Sequence, residues 1–336
     1  MIRIAIVGAG YIGQLHARLL HKEFQNVSVA AIVDKEEEKG RKLASDAGAV
    51  YYSDFETMLK QEDTNVVAIC TPTLLHADMV LKSAEAGKYI FCEKPLAPTM
   101  NDALRMIEAV NKYKITAMAG HVLRFWPVYI KVKEMVSNNE LGKPIHCYCE
   151  RLLTIPAYTQ DGWNRDPRLG GVAFDVQIHD LDFMLWLFGK PKNVVSKGIY
   201  DESFGGWLHI QSSIDFNNDV MGLVQAGWGF PIQFPFTMGF RILCEKGTIE
   251  WSFRAGQLLE ERSAKAGLFV YDTKGSTHTL DVDQTDAFLL QWRYFLNCIE
   301  NNERVDNATF EDGKNALELA LATMKSASEG KPVKLG

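Results

Sequence analysis

The feature that most constrains the fold is a glycine-rich turn between an apolar strand and a helix near the start of the chain. Ile2–Val7 has the apolar pattern of a strand, and Gly8, Gly10 and Gly13 follow it with the spacing Gly-x-Gly-x-x-Gly. In this context the first glycine permits a tight turn, the second lets the backbone approach a pyrophosphate, and the third lets the helix pack on the strand. The amino end of the helix then offers N–H groups to phosphates. The motif therefore predicts a dinucleotide-binding unit, and a fold of this type that has lost its nucleotide is the alternative.

Strand and helix patterns alternate from this motif to about residue 120. Nearly continuous apolar runs such as Val27–Val33 suit parallel strands that are covered on both faces. The predicted strands are Ile2–Val7, Val27–Val33, Val66–Cys70, Tyr89–Cys92 and Thr116–Ala119, and the predicted helices are Tyr11–Lys22, Glu36–Ala47, Leu75–Ala86 and Met100–Lys114. Such alternation predicts an α/β Rossmann domain with a doubly wound parallel sheet over residues 1–122.

The pattern changes after Arg124, where strands follow one another with few helices between them. Six strands are predicted, namely Ile145–Leu153, Val194–Tyr200, Trp207–Phe216, Val220–Trp228, Phe236–Cys244 and Thr248–Ser252. One helix at about Val172–Leu187 interrupts them, and two helices close the chain. The last helix covers about Glu311–Ser328, with Thr309 and Asp312 as a capping pair. Residues 123–336 are therefore predicted to form an α+β domain with a large, mostly antiparallel open sheet that binds substrate and forms oligomers.

Composition excludes several classes of partner. The chain has 336 residues, 47% of them hydrophobic, and a net charge of −6. Because the basic residues do not cluster, neither nucleic acid nor an acidic membrane surface is expected as a partner. The first strand is too short for a signal peptide, and no apolar run approaches the roughly 20 residues of a membrane span. The expected location is the cytoplasm.

The six cysteines are expected to be buried free thiols in a reducing compartment. They are Cys70, Cys92, Cys147, Cys149, Cys244 and Cys298. None of them forms a Cys-x-x-Cys pair, and most lie in apolar, strand-like runs. A zinc site built from these residues is not expected, because structural zinc needs closely paired ligands at defined spacings.

The acid after the second strand bears on the choice of cofactor. Asp34 ends that strand about 21 residues after Gly13. An acid at this position hydrogen-bonds the adenosine ribose hydroxyls and repels a 2′-phosphate, which favours NAD over NADP. Lys35 follows directly and softens that preference, so NADP stays open.

Three residues have the chemistry for moving a proton while a cofactor takes a hydride. Lys94 lies in Glu93-Lys94-Pro95 after a predicted strand, and the proline restricts Lys94 to extended geometry. Asp175 and His179 lie four residues apart on a predicted helix, so they share a face. A histidine accepts protons near neutral pH, and a lysine stabilises charge on a substrate oxygen.

Structural, non-catalytic explanations of the same residues stay open. Lys94 also fits a solvated strand end, and Asp175 with His179 fits a structural pair on a helix. Asp182 lies at i+3 from His179, so a metal site made of these two residues and Asp175 is a further alternative, which the lack of other ligands disfavours.

Two further segments bear on the ligands. Thr71-Pro72 and His76 follow a strand end that would line the ligand crevice, although these residues by themselves favour a plain turn with His76 at a helix start. Arg124 lies where the chain crosses between the predicted domains, and interdomain clefts favour ligands. Trp163, Asn164 and Arg165 precede the next glycine pair and provide an aromatic face with polar groups, as sugar sites often do; simple packing is the alternative for Trp163.

Together these motifs resemble those of the Gfo/Idh/MocA oxidoreductase family. The resemblance covers nearly the whole chain and rests on the glycine triplet, Glu93-Lys94-Pro95, and Gly170-Gly171 followed by Asp175 and His179. It implies a cis peptide before Pro95 and the catalytic set Lys94, Asp175 and His179. The cofactor contacts it implies are Gly8, Gly10, Tyr11, Ile12, Gly13, Asp34, Thr71, Pro72, His76, Glu93 and Lys94. The substrate contacts expected are Arg124, Trp163, Asn164, Arg165, Asp175 and His179.

The expected activity is NAD-dependent oxidation of a secondary hydroxyl of a sugar, polyol or cyclitol, or the reverse reduction. One rival keeps NAD bound and uses a transient oxidation to drive hydrolysis or elimination, and another is a sensor that binds dinucleotide without turnover. We also expect a homodimer or homotetramer formed through the second sheet, whose uncovered face would carry Trp207, Phe234 and Phe236.

Overall fold

The computed structural model describes residues 1–156, 165–254 and 267–336. The chain divides into two compact units. The first consists of Met1–Phe125 and Thr285–Lys314, and the second of Trp126–Gln284 and Asn315–Gly336. The structure thus groups Thr285–Lys314 with the first unit, whereas the predicted boundary after residue 122 left this segment in the second domain.

The first unit contains a six-stranded parallel sheet with the strand order β3-β2-β1-β4-β5-β6, the order of a Rossmann fold. The strands are β1 (Ile2–Val7), β2 (Val27–Val33), β3 (Val50–Tyr52), β4 (Val66–Ile69), β5 (Tyr89–Cys92) and β6 (Ala117–Ala119). The helices are α1 (Tyr11–Glu23), α2 (Glu37–Ala47), α3 (Phe55–Gln61), α4 (His76–Glu85), α5 (Met100–Tyr113) and, from the later segment, α8 (Ala287–Glu300). Short 3-10 turns cover Thr73–Leu75 and Val122–Phe125. The predicted doubly wound sheet is confirmed.

Local sequence explains where these helices begin and end. Thr99 begins α5 by accepting a 3.1 Å hydrogen bond from the Asp102 amide, and Asp54 caps α3 in the same way. Gly48 ends α2 in the left-handed region at φ 66°. Both β3 and α3 are absent from the sequence prediction, because each is too short to show a clear period.

The second unit contains a nine-stranded sheet with the order β14-β13-β12-β11-β7-β10-β9-β8-β15. The strands are β7 (Pro144–Leu152), β8 (Pro191–Asp201), β9 (Gly206–Phe216), β10 (Met221–Gly227), β11 (Thr237–Cys244), β12 (Gly247–Arg254), β13 (Leu268–Asp272), β14 (Thr277–Leu280) and β15 (Val333–Lys334). Every pairing is antiparallel except that of β7 with β10, so the predicted, mostly antiparallel sheet is confirmed.

The remaining helices are α6 (Pro127–Ser137), α7 (Ile178–Phe188) and α9 (Phe310–Glu329). A π-helical segment, Ala173–Gln177, directly precedes α7, where the sequence predicts one continuous helix. The predicted cap of α9 is present, since the Thr309 amide donates to Asp312 Oδ2 at 2.8 Å and the Asp312 amide to Thr309 Oγ1 at 3.0 Å. The sequence did not predict α6, which begins with a proline at its first position.

Candidate active site

The glycine turn is built so that two of its glycines are required by packing and the third faces open space. A Cβ on Gly8, whose φ is +104°, would lie 2.6 Å from the Cys70 carbonyl oxygen. A Cβ on Gly13 would lie 1.9 Å from the Gly8 carbonyl oxygen, whereas a Cβ on Gly10 would meet nothing within 4 Å. The turn therefore packs tightly against β4 and leaves the backbone at Gly10 open to a ligand.

The amino end of α1 is suited to hold phosphates. Gly10 is its N-cap and provides no side-chain hydrogen bond to the first turn. Tyr11 is 44% exposed and Ile12 is partly buried, so this end of the helix reaches solvent. Backbone N–H groups at a helix start and the positive end of its dipole attract phosphate oxygens.

The carboxylate of Asp34 is fixed beside this turn by two backbone amides. Its Oδ2 accepts from the Ala9 amide at 2.6 Å, and its Oδ1 accepts from the Glu36 amide at 2.8 Å. Each carboxylate oxygen has a second lone pair, which leaves acceptors for hydroxyl groups. The open backbone at Gly10 and the fixed acid at Asp34 together fit a dinucleotide with an unphosphorylated ribose.

His76 joins the two loops that follow β4 and β5. Its ring is fully buried, with Nε2 at 2.9 Å from the Thr71 carbonyl oxygen and Nδ1 at 3.0 Å from that of Pro95. Burial lowers the pKa of His76, although the contacts with the carbonyl groups act in the opposite direction. Protein atoms cover the whole ring, so the structure gives it the role of tying the loop of Thr71 and Pro72 to that of Lys94.

Lys94 lies at the carboxyl end of β5, and the peptide bond between Lys94 and Pro95 is cis, as expected. Its side chain is partly buried, and its amide donates to Glu93 Oε2 at 3.1 Å. Glu93 is 6% exposed, and its Oε1 lies 2.8 Å from Nε2 of His16. The carboxylate of Glu93 is thus already engaged with protein groups, whereas it was expected to contact the cofactor.

His16 is a residue that sequence reasoning missed. It lies on the buried face of α1 with Gly13, Ala17 and Leu20, and its side chain is 0% exposed. A histidine on an otherwise apolar helix face, three residues after the last glycine, is the one signal that pointed to it.

In the second unit, Asp175 and His179 are the accessible residues of a buried segment. Between residues 172 and 184 these two are partly exposed and the others are buried. Asp175 lies in the π-helical turn and His179 is the second residue of α7. Single π-helical turns are frequent at functional sites.

The glycine pair before this segment is required by close packing. Gly170 and Gly171 have φ of 64° and 58°. A Cβ on Gly170 would lie 2.4 Å from Sδ of Met324, and one on Gly171 would lie 2.5 Å from the Trp207 carbonyl oxygen. This packing holds the start of the π-helical turn against β9 and α9.

Buried polar contacts also hold the segment that carries Asp175 and His179. The Gln177 side chain donates to Ser212 Oγ at 3.0 Å and accepts from Thr323 Oγ1 at 3.2 Å. Asp180 forms a two-point ion pair with Arg151, with N–O distances of 3.1 and 3.0 Å. Burial raises the pKa of Asp180, and Arg151 counteracts this shift.

The other predicted substrate residues do not lie on the segment of Asp175 and His179. Arg124 is 4% exposed and pairs with Asp312 at 3.2 Å within the first unit, so its substrate role stays a prediction. Arg165 is exposed in the second unit, with its guanidinium 5.4 Å from the centre of the Phe204 ring. Trp163 and Asn164 lie outside the described residues.

The described residues form neither a metal cluster nor a membrane-spanning helix. Within residues 1–156, 165–254 and 267–336, no three His, Cys, Asp or Glu side chains are grouped so that they could hold a metal ion, and Asp182 is 1% exposed. No helix of the described chain is long and apolar enough to span a bilayer.

Comparison with known proteins identifies the family. Residues 2–121 match the model of an oxidoreductase family with an NAD-binding Rossmann fold, and residues 133–335 match the C-terminal alpha/beta domain of the same family. The chain therefore belongs to the Gfo/Idh/MocA oxidoreductase family and is an NAD-dependent oxidoreductase.

Individual relatives agree with this assignment. The chain is 27% identical to scyllo-inositol 2-dehydrogenase (NAD(+)) of Bacillus subtilis, over 99% of this chain and 96% of that one. It is 30% identical to 2,7-anhydro-N-acetylneuraminate hydratase of Mediterraneibacter gnavus, over 58% of this chain and 51% of that one. The fold matches that of aldose-aldose oxidoreductase from Caulobacter crescentus, with a TM-score of 0.85 and 23% identity over 99% of both chains.

Proposed function

We propose that the enzyme moves a hydride between NAD and a secondary hydroxyl of a sugar, polyol or cyclitol. The observation that carries the proposal is the accessible pair Asp175 and His179 on an otherwise buried segment. The end-to-end similarity to scyllo-inositol 2-dehydrogenase supports a substrate with several hydroxyl groups. Bound NAD supplies the hydride acceptor for this chemistry.

His179 accepts the hydroxyl proton as the carbon–oxygen double bond forms. An imidazole is the side chain best suited to accept a proton near neutral pH, which fits a general base. Asp175 orients the imidazole or accepts a hydrogen bond from a neighbouring substrate hydroxyl. The ammonium of Lys94 stabilises the negative charge that develops on the reacting oxygen. In the reverse direction His179 returns the proton.

Asp34 selects NAD over NADP. Its carboxylate is held by the amides of Ala9 and Glu36, so it cannot swing away from a 2′-phosphate without losing both hydrogen bonds. Lys35 is exposed next to it and weakens the discrimination. The cofactor contacts at Tyr11, Ile12, Thr71 and Pro72 are part of the same proposal.

The second sheet forms the interface of a homodimer or homotetramer. Of the residues expected on its open face, Trp207 and Phe236 are instead buried, at 8% and 6% exposure, because they pack into the core of the unit. The strand register places another set of exposed apolar side chains on one open face: Val195, Ile199, Met221, Leu243 and Tyr271. Exposed apolar side chains spread along one sheet face favour burial against another subunit. Sedimentation that yields a monomer mass would contradict this proposal.

We place the enzyme in the cytoplasm. All six cysteines are buried and free, as expected for a protein that folds in a reducing compartment.

A redox-neutral reaction is the second candidate. The 30% identity to 2,7-anhydro-N-acetylneuraminate hydratase over 195 residues supports it. In that case His179 and Lys94 would serve a transient oxidation, and the chain would turn over substrate with no net NADH.

The deciding experiment is a panel of inositols, polyols, aldoses and anhydro-sugars, each assayed with NAD and with NADP. NADH absorbance and product analysis are measured in the same samples. NADH formed in step with product supports the dehydrogenase, and product without NADH supports the redox-neutral reaction. Tight NAD binding with neither signal would favour the sensor.

A further inference from the structure

A line of buried hydrogen bonds in the first unit connects helix α8 to the backbone of Lys94. Trp292 Nε1 donates to His16 Nδ1 at 2.9 Å, and His16 Nε2 lies 2.8 Å from Glu93 Oε1. The Lys94 amide donates to Glu93 Oε2 at 3.1 Å. Trp292 and His16 are 0% exposed and Glu93 is 6% exposed. We call the three side chains of Trp292, His16 and Glu93 the relay.

The indole fixes the protonation state of His16. An indole N–H can only donate, so Nδ1 of His16 must be the acceptor and carries no proton. The single proton of the neutral ring is therefore on Nε2, which donates to Glu93. A doubly protonated ring would place two N–H groups against each other at Nδ1.

The surroundings of His16 are apolar. The rings of Phe91, Phe288 and Trp292 pack around it edge to face, with centroid distances of 5.1, 5.7 and 5.7 Å. An apolar enclosure of this kind keeps water from the hydrogen bonds.

Glu93 is the one member of the relay that accepts hydrogen bonds through two atoms, Oε1 and Oε2. One oxygen receives the His16 ring proton and the other receives the Lys94 amide, so a glutamine would place an NH2 group against one of the two donors. Burial by itself raises the pKa of Glu93, but its contacts with His16 and with the charge and amide of Lys94 hold it below its usual value.

The carboxylate lies close to Gly120. A Cβ on Gly120 would lie 2.9 Å from both Cδ and Oε2 of Glu93. A residue larger than glycine at position 120 would therefore collide with the carboxylate whose two oxygens His16 and Lys94 hold.

We propose that the relay is a positioning device that fixes the backbone of Lys94 relative to the glycine helix α1, with Trp292 locking His16 in its Nε2–H form. His16 lies one turn after the glycine motif, so the relay joins the element that holds the cofactor to the strand end that carries Lys94. Its effect on catalysis depends on the proposed function of Lys94, whereas its existence does not.

The first test reads the tautomer directly. In the full-length protein labelled with ¹⁵N-histidine, long-range ¹H–¹⁵N spectra should show His16 with a protonated Nε2 and an unprotonated Nδ1. Trp292→Phe keeps an aromatic ring but removes the N–H donor and part of the ring volume, so His16 should then exchange between tautomers or gain a second proton. A wild-type ring protonated at Nδ1 would overturn the proposal.

The second test reads the position of Lys94. In Glu93→Ala the Lys94 amide should lose its hydrogen bond, with an upfield shift and faster hydrogen exchange, whereas in Glu93→Gln the single acceptor oxygen can keep either the Lys94 contact or the His16 contact but not both. In Glu93→Ala turnover should fall by about ten- to a hundredfold, the range for losing a group that orients a reacting residue, while the Kd of NAD stays close to that of the wild type. An unchanged amide signal and unchanged turnover in Glu93→Ala would overturn the proposal.

A matched control separates positioning from general loss of packing. Phe295 is 0% exposed and packs against Phe91 and Trp292 without a hydrogen bond to the relay. Phe295→Leu should lower the melting temperature but leave the His16 tautomer and the Lys94 amide signal unchanged. If it changes those signals as much as Glu93→Ala does, the relay has no specific role.

Activity of Lys94→Ala separates the two proposals. Wild-type turnover in that variant would refute the proposed role of Lys94 in catalysis. The tautomer of His16 and the Lys94 amide signal would still decide whether the relay exists.

Discussion

Two glycines of the same turn should respond in opposite ways to substitution by alanine. Gly10 has φ −70° and ψ −173°, a conformation that alanine adopts without strain, and a Cβ there meets nothing within 4 Å. Gly10→Ala should therefore raise the free energy of unfolding of the NAD-free protein by about 0.4–1 kcal/mol, because it reduces the freedom of the unfolded chain. The added methyl group nevertheless occupies the space that a pyrophosphate needs, so the Kd of NAD should rise by roughly tenfold or more.

Gly13→Ala should instead destabilise the protein. Its Cβ would lie 1.9 Å from the Gly8 carbonyl oxygen, where real Cβ contacts do not fall below 3.0 Å. The helix must therefore move away from the turn by roughly 1 Å, and overpacking of this kind costs about 1–3 kcal/mol. NAD affinity should also fall, because the first N–H groups of α1 move with the helix.

The assay measures thermal unfolding without NAD and NAD binding by calorimetry for the wild type and both variants. Gly10→Ala is the matched control for Gly13→Ala, since both add one methyl group to the same motif. Wild-type affinity for NAD in Gly10→Ala, or a wild-type melting temperature in Gly13→Ala, would contradict these predictions.

Three further predictions concern the proposed site. His179→Ala should lower turnover by about 10²–10⁴-fold and leave NAD affinity unchanged. The control His209→Ala should leave both turnover and NAD affinity unchanged. Wild-type turnover in His179→Ala would falsify the assignment of the base. Asp34→Asn should shift the ratio of kcat/KM for NAD over NADP towards NADP, and an unchanged ratio would remove Asp34 from cofactor selection. The pKa of Glu93 is lowered in the folded protein, so its negative charge stabilises the fold at pH values above the pKa of the unfolded chain, which is about 4.3. This stabilisation is lost as the pH falls through the pKa of the folded protein. The difference in unfolding free energy between the wild type and Glu93→Gln should therefore shrink with acid below about pH 4.3, and a constant difference would contradict the ionised buried carboxylate.

The sequence predicted most strands of both sheets. Ile2–Val7, Val27–Val33 and Tyr89–Cys92 have the predicted bounds, because each is a short apolar run between clear turn signals. The strands β13 and β14 were missed because both are short, and β14 exposes three of its four side chains and so has no apolar alternation. The π-helical turn at Asp175 was also missed, because the backbone before it, at Gly170 and Gly171, is held by contacts with Met324 and Trp207 and not by a local sequence pattern.

The sequence by itself determined the class of fold and the family, because glycine spacing and apolar periodicity act over a few neighbouring residues. It also marked Lys94, Asp175 and His179 as candidates, since each lies in a short motif. Only the tertiary structure decided which polar side chains are enclosed. His16 and Trp292 are 276 positions apart, and their hydrogen bond exists only because α8 packs against α1. Burial then removes the competing water. The N–H of Trp292 can therefore fix the tautomer of His16, and His16 in turn fixes the position of the Glu93 carboxylate.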